Sequence, residues 1–132
     1  MSSPVSPITR VIGVYDAEGT LRGEIAYLLR RTFTGRHCAL CDITHGAVKK
    51  RSSWEQCSVE FSARHKVDVH LAHLDDAPRP VLEHEDFRAP AVYLERLDGS
   101  VEPLMTAEDL EKCETSPEIF FALLEEALEQ SR

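Results

Sequence analysis

The hydrophobic pattern of this chain changes period several times, and each change marks an element. Val11-Ile12-Gly13-Val14-Tyr15 is a short β-rich run ended by Asp16-Ala17-Glu18-Gly19, which predicts a buried first strand and a turn. Thr20 can cap the helix that follows, where Leu21, Ile25, Leu28, Leu29 and Phe33 recur at helical spacing. Gly35 supplies its stop, and Arg30 and Arg31 suit the negative end of its dipole. A second helical piece starts at Cys38 or Asp42 and runs to about Lys50. Ser52-Ser53 then opens another helix, with Glu55 and Gln56 placed for a capping box and Trp54, Cys57 and Phe61 on one inner face.

The period then shortens. Val67 to Leu74 alternates in part and predicts a second strand. Asp75 to Pro80 reads as a loop, and Glu83 to Arg88 as a polar irregular stretch. Ala91 to Leu97 predicts a third strand, Asp98-Gly99 a hairpin turn, and Ser100 to Leu104 a partner strand that Pro103 assigns to a sheet edge. Thr106 with Asp109 resembles a capping box for a short helix ending near Cys113. Ser116-Pro117-Glu118 starts a last helix, whose stripe is Phe120, Leu123, Leu124, Ala127 and Leu128.

These elements predict one α/β domain over residues 9–132, preceded by a flexible Ser/Pro-rich N-terminus over residues 1–8. A β-α-β unit followed by a β-hairpin and a closing helix resembles the thioredoxin-like fold, and Pro90 before the third strand resembles that superfamily's cis-proline. One departure matters. In that superfamily the C-x-x-C pair lies between the first strand and first helix, where this chain has Asp16-Ala17-Glu18-Gly19-Thr20. Here the pair follows the first helix as a helical insertion. At ~1.5 Å per residue, the helix should displace it by roughly 20 Å, so the superfamily's usual mechanism does not carry over.

Composition narrows the partners. The 132-residue chain is 42% hydrophobic and 29% charged, an ordinary globular composition with enough length for a core. A net charge of −8 argues against nucleic acid and anionic membranes, and Lys49-Lys50-Arg51 is too short a basic cluster to reverse that. No apolar run approaches the roughly 18 residues of a membrane span, and no signal segment is recognisable, so a cytoplasmic location is expected. Structural disulfides are rare in that compartment.

The candidate chemistry lies in His37-Cys38-Ala39-Leu40-Cys41-Asp42-Ile43-Thr44-His45-Gly46. Cysteines at this spacing can close a disulfide or grip one metal ion. In the redox reading, Cys38 is the nucleophile, Cys41 the resolving thiol and His37 the neighbour that lowers the thiol pKa, with a thiol/disulfide partner or small oxidant and no required cofactor. In the metal reading, Cys38, Cys41 and His45, with Cys57 as a fourth ligand, hold zinc or another soft metal. A non-catalytic interaction domain is a third reading. Tyr15-Asp16-Ala17 with Cys38-Ala39-Leu40-Cys41-Asp42-Ile43-Thr44 resembles a group of uncharacterised small bacterial proteins carrying C-x-L-C-x-[IL]-T. That resemblance implies a shared dithiol and puts little weight on His45.

Elsewhere, bland roles are expected. Cys57 and Cys113 read as packed cysteines, and His70 and His73 as ordinary histidines. Glu83-His84-Glu85-Asp86 reads as a solvated loop, and Glu125, Glu126 and Glu129 as the wet face of the last helix. No phosphate-binding glycine loop, dinucleotide fingerprint, nucleophile elbow or H-E-x-x-H is present.

Overall fold

A computed structural model of the protein describes residues 6–16, 40, 43 and 48–132. The expected first strand is β1, Ile8–Val14, longer at its N-terminal side than the apolar run alone. The additional residues pair with the third strand: Thr9 Oγ1 donates to Glu95 O at 3.1 Å, and Arg10 Nε meets Glu95 Oε1 at 2.8 Å. Ser6 and Pro7, placed by the sequence reading in a loose segment, accept hydrogen bonds from the Asp98 and Leu97 amides. The predicted helix beginning at Thr20 lies outside the described residues.

Strand β2, Asp68–Ala72, runs parallel to β1 with Val11 opposite Val69 and Val14 opposite Ala72. On the other side β3, Ala91–Arg96, is antiparallel to β1, and β4, Val101–Met105, is antiparallel to β3. The resulting four-stranded mixed sheet has the order β2-β1-β3-β4. This puts Pro103 on an edge strand, where its missing N–H is best tolerated. The hairpin turn is tight: Arg96 N donates to Ser100 O at 2.9 Å, and Asp98 Oδ1 accepts from both Ser100 N and Ser100 Oγ. Gly99 adopts φ +89°, which glycine enters without a Cβ clash. The Ala89–Pro90 bond just before β3 is cis.

Four helical elements accompany the sheet among the described residues: α1 (Val48–His65), α2 (Arg79–Leu82), α3 (Ala107–Glu111) and α4 (Pro117–Ser131). The course of α1 corrects one expectation. Ser52 and Ser53 do not open a helix but lie inside one that has already started at Val48. Good helix formers precede them, and serine is tolerated within a helix that packing stabilises. Where the expected loop meets Pro80, the chain instead takes the single turn of α2, with proline near its start.

The capping box of α3 forms in full: Asp109 N donates to Thr106 Oγ1, and Thr106 N to Asp109 Oδ2. Ser116 Oγ accepts from Ile119 N at 3.3 Å and starts α4. The main core joins Val11, Tyr15 and Val92 to Trp54 and Phe61 of α1 and to Phe120, Leu124 and Leu128 of α4. Ile12, Val14, Ala91 and Tyr93 join Ala77 and Val81 in a smaller cluster. Alternation along β1 therefore sends successive side chains into different clusters. No described helix is long and apolar enough to cross a membrane.

Candidate functional site

Cys38, Cys41, His37 and His45 lie outside the described residues, so their mutual distances and protonation are not part of the site's geometry. Two residues of the same segment are placed. Leu40, between the cysteines in sequence, and Ile43, two residues beyond Cys41, are helical and fully buried in the main core.

Gly13 explains how Leu40 fits. A Cβ built on Gly13 would come within 3.2 Å of Leu40 Cδ2 and 3.1 Å of Leu71 Cδ2. Absence of a side chain on β1 therefore lets two leucines close over the strand. A glycine inside an apolar strand run is the sequence signal for such a close approach. Gly13 precedes the last residue of β1, so the Leu40 side chain packs near that strand end, while the expected displacement of the cysteine pair falls on residues outside those described.

Trp54 and Phe61 share the inner face of α1 as expected. Trp54 packs against Phe120 and Phe121 with ring centroids 5.1 and 4.8 Å away, and Phe61 lies 5.5 Å from Phe121. Cys57, between them on α1, is half-buried against the same core. Burial pushes its thiol pKa up, and Glu118 and Glu60 push in the same direction. That environment favours the neutral thiol, whereas a metal ligand or nucleophile is the thiolate.

Cys113 is fully buried, and its Sγ donates to Asp109 O at 3.5 Å. Burial, assisted by Asp109, pushes its pKa to about 11, the behaviour of an inert packing cysteine. No group of three His, Cys, Asp or Glu side chains suited to a metal ion occurs among the described residues.

The remaining polar candidates have structural surroundings. His70 is exposed, while His73 lies past the end of β2 with its ring 4.9 Å from Tyr15 and its amide bonded to Asp76 Oδ1. His84 is not simply solvated: its ring meets Tyr93 edge-on at 5.5 Å. Glu126 and Glu129 are exposed as expected, but Glu125 is half-buried and ion-paired with Arg64. The buried Arg96 was missed by the sequence reading, although its partner Glu102 lies on the neighbouring strand.

Compared with protein-family models, with curated proteins and with solved structures, the chain gives no match.

Proposed function

We propose that the protein is a thiol–disulfide redox protein of thioredoxin-like arrangement, with Cys38 and Cys41 as its redox couple. The supporting observation is the fixing of Leu40, the residue between the cysteines, in the core against Gly13 near the end of β1. A segment anchored there meets the general need of a site for rigid support. The sheet order, with β1 and β2 parallel and a β3–β4 hairpin, agrees with the thioredoxin-like reading, as does the place of Pro90 before β3.

In this reading the Cys38 thiolate attacks one sulfur of a substrate disulfide. A mixed disulfide forms and the other substrate sulfur leaves as a thiolate. Cys41 loses its proton and attacks Cys38 Sγ, releasing the second substrate thiolate. The protein ends with a Cys38–Cys41 disulfide, and the substrate gains two electrons and two protons. A dithiol partner returns both. Protonated His37 favours the Cys38 thiolate before attack.

The deciding experiment is metal content by mass spectrometry on protein purified without oxygen, with a free-thiol count on the same sample. The expected result is no bound metal and two thiols that oxidise and recover together, an exchange abolished by Cys38→Ser. An unreactive Cys38 with an ordinary pKa would end this proposal. Stoichiometric zinc or another soft metal with protected thiols would instead support the metal reading at Cys38 and Cys41, and make His45 and Cys57 the next residues to substitute.

A further inference from the structure

A cavity of about 370 Å³ opens where the start of β1, the end of α1 and the end of α4 meet. Its lining includes His65, Lys66, Arg96 and Arg132, together with Ser6 and Val67. In a chain of net charge −8, Lys66, Arg96 and Arg132 make this a local concentration of positive charge.

Two of those groups are more than nine-tenths buried at the side chain and have unused hydrogen-bonding capacity. Arg96 donates to Glu102 through Nε and Nη2, to Ser131 O through Nη2 and to Ser6 O through Nη1. One Nη1 hydrogen is left without an acceptor among the described residues. His65 Nε2 lies 3.4 Å from Glu125 Oε1 but lacks hydrogen-bond geometry, and it has no other partner there. A buried polar atom left unpaired calls for a water or ion.

Part of the positive charge has another explanation. Arg132 Nη2 donates to His65 O at 3.0 Å, and cations suit the negative end of α1. That role uses the last carbonyls of the helix. It does not satisfy His65 Nε2 or the spare hydrogen of Arg96. The nearby carboxylates are already engaged, Glu125 by Arg64 and Glu102 by Arg96.

We propose that this cavity binds a phosphate-class oxyanion, with Arg96 and His65 supplying buried donors and Lys66 and Arg132 closing over it as exposed cations. Charge-assisted bonds to a tetrahedral anion match this donor set, and the acceptor-rich anion fills the unused capacity. The site is independent of the proposed dithiol.

The test is a titration with inorganic phosphate against chloride at matched ionic strength, following the amide resonances of Lys66, Val67 and Arg96. Wild-type protein should give saturable shifts at these positions. Lys66→Ala/Arg132→Ala, which changes only exposed side chains, should keep the fold by circular dichroism and bind at least about tenfold more weakly, as loss of charge-assisted contacts requires. A parallel titration with phosphoserine separates the sources: tighter binding assigns a phosphorylated side chain, weaker binding the free ion. Absence of saturation in the wild type, or equal binding by the folded double variant, overturns the proposal.

Discussion

The two core clusters differ in how they are built. The larger is covered by the long helices α1 and α4, and Trp54, Phe61, Phe120 and Phe121 interlock within it. The smaller is closed by the single turn of α2 and its flanking turns, with Ala72, Ala77 and Ala91 among its buried side chains. Buried apolar area scales with stabilisation, so the larger cluster should dominate global stability. The smaller should respond to local changes with less effect on the whole fold.

The strongest challenge to that contrast is Phe120→Ala. Removing a fully buried ring from the larger cluster should cost about 3–5 kcal/mol, read from denaturant unfolding. Val81→Ala makes the corresponding change in the smaller cluster and should cost about 2 kcal/mol. An equal loss at both sites would show that the clusters contribute alike.

Gly13→Ala sharpens the comparison at the point where Leu40 enters the larger cluster. Its added methyl must displace two leucine ends, a cost of about 1 kcal/mol after the gain from a less flexible unfolded chain. Alkylation of Cys38 and Cys41 should change rate with it. Unchanged rates despite the stability loss would separate Leu40's packing from the thiols.

The smallest effect is expected outside both clusters. Hydrogen bonds from the Ser100 side chain and amide hold the Asp98 carboxyl below its ordinary pKa, with Arg96 adding to the effect. A depressed folded-state pKa means that its stabilisation is present above the unfolded value and lost as pH falls through the folded one. Asp98→Asn should therefore lower stability slightly at neutral pH, and the difference from the wild type should vanish as the pH of the unfolding experiment falls through the Asp98 pKa.

Features governed by short-range chemistry were legible in the sequence. Asp98-Gly99, Thr106 with Asp109 and Ser116-Pro117 each formed the expected turn or cap because their partners lie within a few residues. The same kind of signal failed at Ser52-Ser53, because helix packing across residues 48–65 outweighed a local capping preference. Phe121 was missed because it stands one residue off the stripe begun by Phe120, yet α1 brings Trp54 and Phe61 against it. At the candidate site, the pattern singled out the C-x-x-C spacing but not the packing of Leu40 on Gly13. That contact depends on the meeting of residues distant in sequence.

Arg96 gives the fold a kinetic asymmetry. Its bonds to Ser6 O and Ser131 O reach residues 90 and 35 positions away, and among the described residues its side-chain partner close in sequence is Glu102. The distant contacts require the sheet and α4 to be nearly assembled first, so they belong to the final descent rather than the folding barrier. In stopped-flow experiments, Arg96→Met should therefore accelerate unfolding much more than it slows refolding. This one guanidinium would then govern the lifetime of the folded chain more than the speed of reaching it.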